Sequence, residues 1–426
     1  MTKNKYVLII CDGIGDLPIP ELGNKTPLEA AFTPNLNRLA KNGKTGLMYV
    51  LGKGIRPNSD DAHLVLFGYD LKKDSPGRGP IEAAGVGIKL QEGDIAIRAN
   101  LATVDKDLHV VDRRAGRIED CSEFIKELDG IEIDGVKFIL KPGTGHRITL
   151  IMRGRGLTDK ISNSDVHYVS GDKIVKDWEG LPINIIRPLN DSREAKFTAE
   201  VLQKFLEIAH EKLEKNPLNT ERERNGLPRG NYLLTREPGY FKKLPSFQEK
   251  YGLSACCIAG AGLYKGLGVL MGMDLIDVPG ATGLPNTDVE GKIQAAKEEI
   301  KKYDFVFVHI KPTDIFGEDG DCQGKKDFIE KIDRALDLLE DTGAAICVTA
   351  DHSTPCTIRD HSADPVPVLI YGGGPAFVPL SGTTARQGKF GEKFCQKGSL
   401  GIIEGKDLLK ILLSFRVKIS FLLPKL

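Results

Sequence analysis

In Tyr6-Val7-Leu8-Ile9-Ile10-Cys11-Asp12-Gly13, six apolar residues run without alternation into an aspartate and a glycine. A continuous apolar run of this length is how a strand covered on both faces of a parallel sheet reads, and it leaves Asp12 at the strand's carboxyl end. A helix is expected next. Thr33-Pro34 supplies a cap and a proline for the first turn, Leu36, Leu39 and Ala40 have helical spacing, and Gly43 ends it. Together these form a βα unit.

The pattern returns towards the C-terminus. Phe305-Val306-Phe307-Val308-His309-Ile310 reads as a strand followed by Asp314. A helix is predicted over 326–341, with Phe328, Ile329, Ile332, Ala335, Leu336 and Leu339 on one face. Ala344 to Thr349 is the next strand and delivers Asp351-His352, and Val366 to Tyr371 is another. Three aspartates thus follow three separate apolar strands, at the edge of an open parallel sheet where ligands collect. One such aspartate would be an ordinary cap or loop residue; three with neighbouring histidines favour a metal cluster.

Length and composition narrow the field. A chain of 426 residues is long enough for two domains, or for one large α/β domain with an insertion. Lysine plus arginine equals aspartate plus glutamate at 59 each, with no basic stripe, which argues against a nucleic-acid partner. No apolar run approaches the roughly 18–20 residues needed to span a bilayer, so a cytoplasmic protein without a membrane partner is expected. The eight cysteines show no Cys-x-x-Cys spacing and read as reduced, mostly buried thiols.

Between 105 and 187 the texture changes to short alternating segments such as Gly135 to Leu140 and Arg147 to Met152. We read an inserted α+β cap domain over 105–187, with 1–104 and 188–426 forming the catalytic domain. A helix is predicted over 193–215, with an apolar stripe of Phe197, Val201, Phe205, Ile208 and Leu213. His210 on that helix reads as structural.

Ser59 sits where a loop enters a segment with helical spacing, at Ala62, Val65 and Leu66, and is a natural N-cap. The same place suits a nucleophile, because a helix N-terminus stabilises an alkoxide and the phosphate it attacks. Asp351-His352 after a buried strand, with His361 nine residues further on, adds carboxylate and imidazole ligand chemistry.

With Cys11-Asp12-Gly13, Asn58-Ser59-Asp60, Phe67-Gly68-Tyr69-Asp70, Gly77-Arg78-Gly79-Pro80, Ile97-Arg98-Ala99-Asn100, Lys311-Pro312-Thr313-Asp314 and Asp351-His352-Ser353-Thr354-Pro355, nearly the whole chain resembles the archaeal-type cofactor-independent phosphoglycerate mutases of the alkaline phosphatase superfamily. The resemblance implies an alkaline-phosphatase-like, mostly parallel α/β sheet flanked by helices. It implies two divalent metal ions and no need for 2,3-bisphosphoglycerate. One metal would be held by Asp12, Ser59, Asp351 and His352. The other would be held by Asp314, His361 and the residue four after Asp314, where the family pattern has histidine and this chain has Glu318. A glutamate makes that site harder and favours Mn²⁺ or Mg²⁺ over Zn²⁺. The implied reaction is a ping-pong isomerisation of 3-phosphoglycerate to 2-phosphoglycerate through phosphoserine at Ser59, a step of glycolysis and gluconeogenesis.

A small phosphorylated carboxylate needs cationic contacts, for which Arg113 and Arg147 in the cap and Arg236 and Lys265 in the main domain are candidates. A metal-dependent phosphatase, or another phosphomutase with the same serine and metals, is the competing reading. Cys256-Cys257-Ile258-Ala259-Gly260-Ala261-Gly262 loosely mimics a dinucleotide-binding turn, but Lys265 stands where a third glycine is required. A non-catalytic metal-binding scaffold is the third reading, and the intact Ser59, aspartates and histidines argue against it. The tail from Ser414 to Leu423 alternates in part, as an edge strand or a homo-oligomer contact would.

Overall fold

The computed structural model describes residues 4–169, 173–175, 177–372 and 389–415. The chain divides into two compact units, one formed by 1–75 with 245–426 and the other by 76–244.

The first unit is built on an eight-stranded sheet. Its strands are β1 (Tyr6–Cys11), β2 (Lys44–Tyr49), β3 (Ala255–Ile258), β4 (Asp274–Leu275), β5 (Phe305–Ile310), β6 (Ala345–Thr349), β7 (Val366–Tyr371) and β8 (Gly401–Glu404), in the spatial order β4-β3-β5-β1-β6-β7-β2-β8. β1 pairs in parallel with both β5 and β6. β3 continues the parallel set, while β7 runs antiparallel to β6 and to β2. Every residue of β1, β5 and β6 is buried, which accounts for their unbroken apolar sequences. Because the three central strands run the same way, Asp12, Lys311 and Asp351 emerge at one edge.

Four helices of this unit bear on that edge: α1 (Ser59–Leu66), α2 (Gly262–Leu270), α3 (Pro312–Asp319) and α4 (Cys322–Leu336). α4 begins before the predicted 326, where Asp321 caps its first turn, and beyond Leu336 the chain tightens into a 3₁₀ turn, Asp337–Thr342. The helix Pro34–Asn42 forms as predicted, but Thr33 occupies its cap position without a side-chain capping bond.

The second unit is an antiparallel sheet of strands 232–240, 95–104, 147–153, 136–142 and 132–133, with 110–112 paired to 95–104. The helix Arg193–Glu214 covers it, and Phe205 stacks on Phe138 with ring centroids 4.0 Å apart. This corrects the expected 105–187 boundary. Strand 95–104 hydrogen-bonds to both 147–153 and 232–240, so a cut at 104 would split one sheet and strip it of its covering helix. His210 is structural, with Nδ1 2.8 Å from the Asn231 carbonyl oxygen.

All eight cysteines are free thiols, seven of them buried. Among the described residues no helix is long and apolar enough to cross a membrane. The tail segment expected as an edge strand lies mostly outside the described residues, and Ser414 ends the helix Leu408–Ser414.

Candidate active site

β1 releases Asp12 directly into Gly13, whose φ of +63° is open to glycine and strained for other residues. A Cβ there would collide with Thr354 Oγ1 and lie 2.9 Å from Asp314 Cα, so this glycine lets three ligand-bearing loops meet. Ser59 is the first residue inside α1 and Asn58 takes the cap position, one residue from the expected arrangement. The serine hydroxyl is therefore not committed to capping, and it lies 3.4 Å from His352 Nε2.

The sequence-predicted ligands come together in the first unit. Asp12 Oδ1 is 3.2 Å and Asp351 Oδ2 3.3 Å from His352 Nε2. Asp314 Oδ1 accepts from Thr354 Oγ1 at 2.6 Å and faces His361 Nε2 at 3.6 Å. His361 stacks on His352 with centroids 3.6 Å apart, and its Nδ1 lies 3.0 Å from the Pro57 carbonyl oxygen. A carbonyl only accepts, so Nδ1 carries the proton and Nε2 keeps its lone pair towards Asp314. Two overlapping groups that could hold a metal ion result, Asp12–Asp351–His352 and Asp314–His352–His361. Glu318, one turn beyond Asp314 on α3, is in neither group and stays open to solvent. Partial desolvation and then the charge of Asp314 nevertheless raise its carboxyl above the usual range.

A third group, His63–His309–Asp351, lies behind these and was not anticipated. His63 is four residues after Ser59 and so shares its face of α1, a spacing that could have disclosed it. His309 is a lone histidine in an apolar strand and reads as core. Lys311 Nζ bridges Asp314 Oδ2 at 2.7 Å and Asp12 Oδ2 at 3.2 Å.

Electrostatics match a cation site. Burial opposes ionisation of Asp12, but Lys311, His309 and His352 outweigh it and hold the carboxyl well below its usual range. Asp351, desolvated and next to the Asp12 charge, is pushed up. Burial disfavours charge on His352 as well, yet Asp351 and Asp12 prevail and raise it. Burial alone dominates at His63 and His309, which fall to about 4 and about 3 and are neutral imidazoles. Four buried atoms here, Asp12 Oδ1, Asp351 Oδ2, His63 Nε2 and His309 Nε2, have no hydrogen-bond partner. Stranded donors and acceptors of this kind cost about 1–3 kcal/mol each unless something else satisfies them. Oxygen and imidazole ligands left open in this way fit divalent metal ions.

The candidate substrate contacts do not form one set. Arg113, Arg147 and Arg236 belong to the second unit and Lys265 to the first, so the expectation that Arg236 sits in the main domain is corrected. Arg113 grips Asp165 through Nε at 2.9 Å and Nη2 at 2.5 Å, and Arg236 Nη1 lies 3.5 Å from the same carboxylate. Arg147 is exposed, and Lys265 Nζ lies 3.3 Å from Asp277 Oδ1. In the second unit, desolvation and then Arg147, Arg114, Arg236 and Arg113 drive His146 down to about 4. That is a strongly positive patch.

Unfilled ligand capacity in a buried, charged setting, beside a serine at a helix start, is the chemistry of a metal-dependent phosphoryl-transfer enzyme. A family model described as "Metalloenzyme superfamily" matches residues 4–415. The 2,3-bisphosphoglycerate-independent phosphoglycerate mutase 1 of Methanocaldococcus jannaschii is 45% identical over 419 residues, 97% of each chain. That of Archaeoglobus fulgidus is 46% identical over 415 residues, 96% of this chain and 97% of its own. The solved cofactor-independent phosphoglycerate mutase from Thermoplasma acidophilum superposes with a TM-score of 0.71 at 38% identity, covering 97% of this chain and 99% of its own. The chain belongs to the family of 2,3-bisphosphoglycerate-independent phosphoglycerate mutases, within the metalloenzyme superfamily.

Proposed function

We propose that this protein interconverts 3-phosphoglycerate and 2-phosphoglycerate through a phosphoserine at Ser59. The observation that carries the reading is the uncommitted Ser59 hydroxyl, 3.4 Å from His352 Nε2 and beside buried, unpartnered oxygens of Asp12 and Asp351. Ser59 Oγ attacks phosphorus and the bond from phosphorus to the 3-oxygen breaks, leaving phosphoserine and glycerate. The glycerate 2-hydroxyl then attacks the same phosphorus and regenerates the serine. The first turn of α1 presents backbone N–H groups and a positive dipole end that favour the phosphate oxygens.

Asp12, Asp351, His352 and Ser59 would hold one divalent ion, and Asp314, His361 and, after a change of its solvent-exposed rotamer, Glu318 the other. When bound, such ions supply charge neutralisation at phosphoryl oxygens and a lowered serine pKa. An all-oxygen-plus-imidazole set with Glu318 favours Mn²⁺ or Mg²⁺. Arg113, Arg147, Arg236 and Lys265 are proposed for the substrate's carboxylate and phosphate, with Arg147 the freest of them from protein partners. The reaction places the enzyme in glycolysis and gluconeogenesis, in the cytoplasm.

The test incubates metal-free protein with 3-phosphoglycerate, with and without Mn²⁺ and without 2,3-bisphosphoglycerate, and follows 2-phosphoglycerate and free phosphate separately. Metal-dependent 2-phosphoglycerate without matching phosphate, lost in Ser59→Ala, is the expected result. Phosphate release alone would make the protein a phosphatase.

A further inference from the structure

Tyr264 lies in the first turn of α2, just after the glycine-rich turn that leaves β3, and is 1% exposed. Its hydroxyl donates to Asp12 Oδ2. Its ring stacks on His309, with centroids 3.3 Å apart and planes 18° from parallel, and packs against His63 at 5.0 Å. The phenol is thus held by a ring stacked on one face and a second, tilted ring beside it, and it reaches one carboxylate oxygen. An ionised carboxylate has no proton to give, so tyrosine is the donor, and burial followed by the charge of Asp12 keeps its proton on well above the usual range.

This contact makes the two oxygens of Asp12 unequal. Oδ2 accepts from Tyr264 and lies 3.2 Å from Lys311 Nζ. Oδ1 has no hydrogen-bond partner, although it is buried and lies 3.2 Å from His352 Nε2. Without the phenol, Oδ2 keeps only the longer contacts to Lys311 Nζ at 3.2 Å and His309 Nε2 at 3.3 Å, so rotation about the carboxyl is less restrained and the fraction of time in which Oδ1 faces the ligand group falls.

We propose that Tyr264 is a positioning residue for the isomerase reaction, whose hydroxyl locks Asp12 so that Oδ1 stays free for a divalent cation. The proposal rests on the two-metal reading above. Hydrogen bonds to a ligating group from behind typically change metal affinity about 10–100-fold when removed.

The test is Tyr264→Phe in the full-length protein, which keeps the ring, its stack and its volume. Mn²⁺ binding is measured by calorimetry and by the electron spin resonance of free Mn²⁺, and kcat and KM for 3-phosphoglycerate as a function of Mn²⁺. The melting temperature of the metal-free protein is followed alongside. The expected result is Mn²⁺ affinity about 10–100-fold weaker, activity regained at high Mn²⁺, and an unchanged metal-free melting temperature. Unchanged Mn²⁺ affinity overturns the proposal, and so does a loss that merely follows a lower metal-free melting temperature, since that would be packing. If wild type binds Mn²⁺ tightly but makes no 2-phosphoglycerate, the mutase reading fails while the affinity comparison still decides the role of Tyr264.

Discussion

Ser59 Oγ lies 3.4 Å from His352 Nε2, one residue inside the helix rather than at its cap. The serine can therefore be removed without unfastening α1. Ser59→Ala is expected to lose about 10³-fold or more in kcat while its melting temperature stays within ~1 °C of wild type, because a surface-independent nucleophile contributes to chemistry and not to packing. Mn²⁺ binding should persist, since Asp12, Asp351 and His352 remain. A variant that keeps more than a tenth of the activity would remove Ser59 from the mechanism.

Glu318 gives the second test. Its carboxyl is raised by desolvation and by Asp314, so a cation near Asp314 relieves a repulsion that the metal-free chain carries. Glu318→His replaces a hard ligand by a softer one and is expected to shift the Zn²⁺-to-Mn²⁺ affinity ratio upwards by roughly tenfold. Competition binding followed by elemental analysis reads this directly. If the ratio does not move, Glu318 is a solvated surface carboxylate.

Much of the first unit was legible because its central strands are buried on both faces. β1, β5 and β7 begin and end at the residues expected, since uninterrupted apolar runs have few other ways to end than at Asp12, Lys311 or Gly372. Asp12, Asp314 and Asp351 were readable as candidate ligands for the same reason, as each follows such a strand, whereas Ser59 and His361 lie in or after loops. The unit boundary was not, because the pairing of 95–104 with 232–240 joins segments far apart in sequence and leaves no local mark. Tyr264 was hidden in what read as a glycine turn, and its role exists only through the fold that sets α2 beside β1.

Arg113 and Arg147 should behave in opposite ways. Arg113 is buried and bidentate to Asp165, which is fully buried itself, so Arg113→Ala leaves that carboxylate with only the longer 3.5 Å contact from Arg236 and is expected to cost about 3 kcal/mol of stability. Arg147 is exposed and holds up nothing, so Arg147→Ala should leave the melting temperature unchanged and raise KM for 3-phosphoglycerate by about tenfold. An unchanged KM would strike Arg147 from the substrate contacts.

Lys325 ties together the loops that follow β1 and β6. Its fully buried Nζ donates to Asp16 Oδ2 and to the Thr354 carbonyl at 2.8 Å each, and to the Gly15 carbonyl at 3.2 Å. Lys325→Met is expected to destabilise by about 3–5 kcal/mol, and adding Asp16→Asn should recover part of that loss, because the damage comes from the stranded carboxylate. Urea unfolding of the single and double variants measures the coupling. Simple additivity would contradict it.

Glu392 supplies a pH dependence whose sign can be worked out. The residue is half-buried, with Oε2 accepting from Thr26 Oγ1 at 2.6 Å and Oε1 from the Asp16 amide at 3.2 Å. Burial pushes its pKa up to about 7 against the pull of these bonds. In the unfolded chain a glutamate titrates near ~4.3. Between ~4.3 and about 7 the folded chain therefore holds more protons, and the contribution of this group to stability falls as pH rises through that window, then levels off. With a discount for water access, wild type should lose about 1–2 kcal/mol relative to Glu392→Gln between pH 5 and 8. Gln can accept from the Asp16 amide and donate to Thr26 Oγ1, so the variant should fold. Parallel stability curves for the two proteins across that range would show that Glu392 ionises in the fold as it does in water.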